Sequence, residues 1–581
     1  MDNKDLVYLA RTNYRGKEGV PFGIKSDDRR RHVYILGQTG TGKTTLIENM
    51  VLQDIIAGRG VGFLDPHGDA VLRVIDRIPP ERIKDVVYFD PTDFDYPIGF
   101  NVLEVSDPQY KHLVISDLLA VFKRIWAGLW SARMEYILEN SISALIDTPG
   151  TTLLGSMRIL VDRDYRQKIL ANVKNPVVKA FWISEYDKWP ENFRTEAIAA
   201  IQNKIGAFLT VPLVRNIVGQ TESTIHMPEI INSGKIFLVN LSKGKIGEDN
   251  SALLGAMLVT KIYLASMERV RIPEEERRDF YLYVDEFQNF VNESFATILA
   301  EARKYRLDLT IAHQYAGQLI NDLAGKKVFD AVIGNVGTKI IFRIGSADAF
   351  ILEKELTPEL LANDLVNLPN FQVYLRLMVD GVTSRPFSAA TLPPLSMAKK
   401  TEGNFDKVVA FSRDKYGKKR EEVEDKILKW SGMMEEEREK IGEEKMKRRV
   451  GPQIRREYAV NLESLGIGGG KEEFRGERRE QGRFQPQFQS RPREEFSPRI
   501  KEGEFATRAP SAGKTISLDD LKPQKSPPAG KQVMPTGKQS PKLDELREVL
   551  KEIGAVPEKK EIQPAKQKGV LKPGEKISLN P

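Results

Sequence analysis

The residues that could do chemistry in this chain concentrate in three short stretches. The first is GQTGTGKTT, in which Gly37, Gly42, Lys43 and Thr44 fit the pattern GxxxxGK[ST]. Phosphate groups need several backbone N–H donors at close range, and glycine lets the backbone come that close. The loop Gly37, Gln38, Thr39, Gly40, Thr41, Gly42, Lys43, Thr44 and Thr45 is therefore expected to wrap the phosphates of a nucleotide. Lys43 would reach the β- and γ-phosphates, and the Thr44 hydroxyl would ligate Mg2+. The second stretch, FYLYVDEFQNF, ends an apolar run on Asp285 and Glu286. An acid there suits the shell of a loop-bound Mg2+. A second carboxylate beside it can orient or deprotonate an attacking water. Asp285 is the expected metal partner and Glu286 the expected base.

The third stretch is EARKYRLDLTIAHQY, residues 301–315. It reads as the end of a basic helix followed by an apolar strand that stops at His313 and Gln314. A strand beside the acidic one would end near the γ-phosphate. The Gln314 amide both donates and accepts, so it can sense that phosphate or place water; the alternative is a plain strand-end hydrogen bond. His313, its neighbour, is expected to turn away. Arg303 lies just before the strand. In a ring of subunits such an arginine can reach a neighbour's nucleotide; the alternative is a local ion pair with Glu301 or Asp308. The guanine-reading pattern NKxD is missing, because Asn203 and Lys204 are followed by Ile205 and Gly206. ATP is the favoured nucleotide.

These residues need a scaffold that brings strand ends together. Two groups of short apolar strands supply it. HVYIL (32–36), VGFLD (61–65) and VVYF (86–89) form the first group. IFLVNL (236–241), YLYVD (281–285), LTIA (309–312), KIIFR (339–343) and VYLRLM (373–378) form the second. Near-continuous apolar strands alternating with helical patterns predict an α/β fold with a mainly parallel sheet covered on both faces. Residues 106–230 have apolar positions at helical spacing and four of the five tryptophans, Trp126, Trp130, Trp182 and Trp189. They read as an all-helical domain inserted into an α/β domain made of 1–105 and 231–395, with the tryptophans in its core. Residues 396–440 continue as a charged helical extension. Residues 441–581 are basic and rich in Pro, Gly and Gln, and read as a disordered tail. Within it, 542–554 carries one apolar helical face that could dock on a partner.

Composition narrows the chemistry further. The 581 residues contain no cysteine and five histidines. Disulfides, thiolate metal sites and cysteine nucleophiles are excluded. The net charge of +7 sits in the tail, where 441–581 hold 30 Lys and Arg against 21 Asp and Glu. The rest of the chain balances slightly negative, so overall charge says little about nucleic-acid binding by the folded part. No apolar run looks long enough to span a bilayer and the N-terminus has no signal-peptide core, so a cytoplasmic location is expected.

Taken together, GQTGTGKTT, DPHGD (65–69), YVDEFQNF, EARKYRL, AHQ and GNVGTKIIFRIGSADA (334–349) resemble the conjugative coupling ATPases. These are TraG/TraD-type DNA-binding proteins of type IV secretion, relatives of HerA and FtsK. The resemblance runs over roughly 20–395. It implies a RecA-like P-loop motor that hydrolyses ATP with Mg2+, assembles as a homo-hexamer and threads DNA, single- or double-stranded. It gives nucleotide roles to Lys43, Thr44, Asp285, Glu286 and Gln314. Arg303 becomes the leading trans-acting arginine, with Arg343 as runner-up. Coupling proteins usually begin with membrane helices and HerA-type proteins with a small β-barrel. About 30 residues precede the first core strand identified here, so the expectation is either that a separate membrane-anchored secretion component supplies the anchor, holding a cytoplasmic motor at the inner face of the membrane, or that the motor works in the cytoplasm. A secretion ATPase acting on protein substrates and a HerA-like cytoplasmic DNA translocase are the alternatives.

Overall fold

The computed structural model describes residues 5–13, 19–320, 323–395 and 403–431. The tail and its candidate helix at 542–554 lie outside them. Eleven strands form one sheet: β1 (Leu6–Thr12), β2 (Pro21–Lys25), β3 (Val33–Leu36), β4 (Gly60–Asp65), β5 (Val86–Phe89), β6 (Ile236–Asn240), β7 (Phe280–Val284), β8 (Leu307–His313), β9 (Thr338–Ile341), β10 (Gln372–Arg376) and β13 (Phe387–Thr391). A separate ribbon pairs β11 (Met378–Val379) with β12 (Val382–Thr383). The spatial order is β2-β1-β13-β10-β9-β3-β8-β7-β4-β6-β5. The run from β9 to β5 is parallel throughout, and the four strands from β10 to β2 pair antiparallel.

Every residue of the parallel strands is buried, which explains why their sequences do not alternate. The two faces of the sheet have separate cores. On β3, Val33 and Ile35 face the helix Lys43–Ile56, whereas Tyr34 and Leu36 face the side of the helix Glu248–Met267. All eight strands expected from the sequence are present. Two more, β1 and β2, precede the strand taken as the first. They extend the antiparallel margin of the sheet, and β2 begins at Pro21 on the edge, where a missing N–H costs no ladder bond. Only β10, in this margin, alternates in burial.

The membrane expectation needs a correction. The helical stretch Glu248–Arg271 is long and apolar enough to cross a bilayer by length and composition, with 78% of its apolar window buried inside the fold. It packs against the helix Lys111–Ile125 and the sheet, as an all-round apolar core helix does.

Between β5 and β6 the described chain is helical, from Pro108–Tyr110 to Met227–Asn232. Trp182 is fully buried in an aromatic cluster with Phe181, Tyr186 and Trp189. The outgoing and returning arms meet as a neck. Gly99 N donates to Thr224 Oγ1 at 3.0 Å, and Thr224 N returns to Gly99 O at 2.9 Å. The C-terminal extension is two helices, Phe405–Tyr416 and Arg420–Trp430. The first binds edge strand β5 through Ser412, and Trp430 stacks edge-on against Tyr165 in the helical region.

One buried ion pair ties the phosphate-loop helix to the sheet. Arg29, 1% exposed, makes two 2.8 Å bonds to Asp54 near the end of the helix Lys43–Ile56. The Tyr283 hydroxyl on β7 also donates to Asp54. The phosphate loop and the acidic strand are thereby fixed to one another from beneath.

Candidate nucleotide site

The loop GQTGTG leaves β3 and enters the helix Lys43–Ile56, the strand–turn–helix order that phosphate binding requires. Its glycines are sterically demanded. A Cβ on Gly37 would lie 2.5 Å from Cβ of Phe342, and one on Gly42 would lie 2.9 Å from the Phe371 ring. Gly40 and Gly42 adopt left-handed φ of +78° and +117°. Thr41 closes the turn by donating to Gln38 O at 2.7 Å. The Lys43 ammonium is buried and donates to Gly37 O at 2.7 Å. Burial lowers its pKa, opposed by the charges of Glu286 and Asp285. Thr45 lies in the first turn of the same helix.

Strand β7 carries the acids to this loop. Thr44 Oγ1 donates to Asp285 Oδ2 at 3.2 Å, so a hydroxyl and a carboxylate oxygen stand side by side. Such hard oxygen donors, next to a glycine cradle, fit Mg2+ on a nucleotide. Burial pushes the Asp285 carboxyl up to about 7, with Glu286 and Asp65 adding to the shift and Lys43 opposing it. Glu286 follows in a left-handed conformation, φ +45°, that turns its side chain out of the strand line.

Strand β8 lies between β3 and β7, so its end sits between loop and acids. Gln314 Nε2 donates to Glu286 Oε1 at 2.8 Å, and Thr39 Oγ1 donates to Gln314 Oε1 at 3.0 Å. One amide thus bridges the phosphate loop and the second acid. His313 points the other way. Its Nε2 meets the Tyr34 hydroxyl, its ring packs on Phe287, and burial lowers its pKa to about 3.

The two arginines lie apart. Arg303 is exposed, at the opposite end of the seven-residue strand β8 from Gln314. That separation is roughly 20 Å at 3.3 Å per residue. Among the described residues it forms no ion pair with Glu301 or Asp308; Glu301 pairs with Lys304 instead. Arg343 follows β9 and touches its own phosphate loop. Its carbonyl accepts from Gln38 N at 2.9 Å, and its Nε lies 3.4 Å from Gln38 Oε1.

Several site residues escape sequence reasoning. Gln288 Nε2 donates to Glu286 Oε2 at 2.8 Å, so both oxygens of that carboxylate are held. Asp65, within DPHGD, accepts from His67 N and Ala70 N at 2.8 and 2.9 Å and caps the helix Asp69–Ile75. Its position at the end of β4, two residues before a histidine–glycine turn, was the available signal. Phe371 against Gly42 had no local signal.

Residues 17–351 match the family described as the type IV secretion-system coupling protein DNA-binding domain. No curated protein matches the chain. Among solved structures it is similar to the plasmid coupling protein TrwB in complex with ADP and Mg2+, at 13% identity and TM-score 0.49, covering 69% of this chain and 96% of that one. TrwB bound to the ATP analogue ADPNP is 14% identical, with TM-score 0.48 and coverage of 68% and 95%. VirB4 of Thermoanaerobacter pseudethanolicus is 16% identical, with TM-score 0.47 and coverage of 67% and 97%.

Proposed function

Because this chain belongs to the family of type IV secretion-system coupling protein DNA-binding domains, we propose that it is an ATP-hydrolysing motor that moves DNA. The observation that carries the hydrolytic part is the hydrogen-bonded chain from Thr39 through Gln314 to Glu286. It links the group that would face the γ-phosphate to the group that would take a proton from water. In this reading the backbone of 37–42 binds the phosphates and Lys43 offsets their charge. Thr44 and Asp285 hold Mg2+, which supplies positive charge against the developing negative charge on the phosphate oxygens. Glu286, held by Gln288 and Gln314, keeps one carboxylate oriented for the water. Loss of the γ-phosphate changes what Gln314 bonds, and so changes the junction between β3, β8 and β7.

The domain division follows the same reading: a discontinuous motor core, 1–105 and 231–395, carrying the helical region 106–230, the extension 396–440 and the tail. The motor assembles as a homo-hexamer on DNA. Arg303, at the far end of β8 from its own site, faces a neighbour and serves the neighbour's nucleotide. Arg343, beside its own loop, acts in its own subunit. A membrane-anchored secretion component holds the motor at the membrane. The test is the ATPase rate of wild type and Lys43→Ala with single-stranded DNA, duplex DNA and no DNA. Binding to backbone phosphates predicts stimulation that fades with salt. An ATPase indifferent to DNA at low salt removes the motor reading. Arg303→Ala should be inactive alone and regain activity when mixed with Lys43→Ala subunits; no rescue removes the trans assignment.

A further inference from the structure

Phe371 is placed where neither burial nor backbone preference favours a phenylalanine. Its side chain is 54% exposed and its φ is +63°, in the left-handed region that bulky L-residues rarely adopt. Three hydrogen bonds hold it there. Its N–H donates to Thr41 O at 2.9 Å, inside the phosphate loop, and its carbonyl accepts from Thr391 N at 2.8 Å and Thr391 Oγ1 at 3.0 Å. The ring rests against Gly42, whose other neighbour is the fully buried Phe342. Strained residues fixed by their surroundings concentrate at ligand sites.

The strand order says which part of a ligand this ring meets. Glu286 and Gln314 lie at the ends of β7 and β8, on one side of β3. Phe371 opens β10, on the other side of β3, beyond β9. A nucleotide with its γ-phosphate at Glu286 and Gln314 and its phosphates on the loop extends its nucleoside away from them, toward Phe371. From this geometry we propose that Phe371 is the base platform of the site: its exposed face stacks on the nucleotide base, purine better than pyrimidine. Stacking reads ring area, so the platform favours a purine without choosing between adenine and guanine.

The inference rests on the nucleotide reading of the phosphate loop, and the test separates the two. Dissociation constants for ADP and CDP are measured with Mg2+ on wild type, Phe371→Ala, Phe371→Leu, Phe371→Tyr and Lys43→Ala. Leucine keeps apolar bulk over Gly42 but has no aromatic face. Loss of one stack weakens ADP by about ten- to a hundredfold. CDP weakens less, so the purine preference of the wild type collapses in both the alanine and leucine variants. Tyrosine retains it. Equal weakening of ADP and CDP, or no weakening, overturns the platform and leaves Phe371 as a prop for the loop. If the wild type binds neither nucleotide, or binds no better than Lys43→Ala, the nucleotide reading itself fails.

Discussion

Replacing Gln314 tests the hydrolytic chain most directly, because the amide makes one donated and one accepted bond of known geometry. Gln314→Ala removes the 2.8 Å bond to Glu286 Oε1 and the 3.0 Å bond from Thr39. Glu286 is 5% exposed, so water compensates poorly. A hydrogen bond to a charged group is worth about 1.5–3 kcal/mol. If that orientation matters only in the transition state, kcat falls by about ten- to a hundred-and-fifty-fold while KM for ATP stays within a few-fold. Gln314→Glu is the sharper variant. It keeps an acceptor for Thr39 but sets a carboxylate against Glu286, beside an Asp285 whose carboxyl is already pushed up to about 7. Like charges at that range repel strongly in a buried site. It should be at least as inactive as alanine. The assay is steady-state ATPase with saturating DNA, varying ATP, at pH 6 to 8. An active Gln314→Glu, or an alanine variant that raises KM and spares kcat, refutes the reasoning.

Other consequences are open to measurement. Gly37→Ala would force a Cβ to within 2.5 Å of Phe342 Cβ and should cost about 1–3 kcal/mol in urea unfolding. Gly345→Ala, which meets nothing within 4 Å, should be near neutral; equal effects would contradict the packing argument. Asp54→Ala strands the buried Arg29 guanidinium, takes an ion-pair partner from Arg59 and should cost about 3–5 kcal/mol in urea unfolding; a variant as stable as wild type would contradict the buried pair. His313 is held at about 3 by burial, against 6.5 unfolded, so the unfolded chain takes up that proton first and stability falls as pH drops below about 6.5. The stability gap between wild type and the non-titrating His313→Gln should narrow by about 2 kcal/mol from pH 7.5 to 5. A constant gap would mean that His313 is not buried neutral.

What the sequence makes legible is what local chemistry writes. The glycine loop is readable because phosphate binding demands glycines at set spacing, and the central strands because double-sided burial leaves unbroken apolar runs. Gln314 is readable because a polar amide closing a wholly buried strand has few structural reasons to be there. The unread residues depend on distant partners. Phe371 acquires meaning only through Thr41, 330 positions earlier, and Thr391. Arg343 reads as a strand end, and only the pairing of β9 with β3 puts it on Gln38. The edge strand β2 was hidden because a half-buried antiparallel strand with Pro21 and Gly23 lacks the continuous apolar signal; its neighbour β1 carries that signal in the apolar run 6–10. The helix Glu248–Met267 was hidden for the opposite reason: scattered polar residues mask a helix buried on nearly every side.

The strand order also sets a timetable. Val33 on β3 pairs with Thr310 on one side and Thr338 on the other, and with nothing nearer in sequence. A ribosome adding about 5–20 residues per second needs roughly 15–55 s to travel from Val33 to Thr310. Throughout that interval the strand leading into the phosphate loop exists without either neighbour, apolar on both faces and with open backbone groups. The newborn chain therefore carries this unpaired strand while about 277 further residues are made. Its catalytic loop closes only when β8 and β9 arrive in succession to take their places on either side.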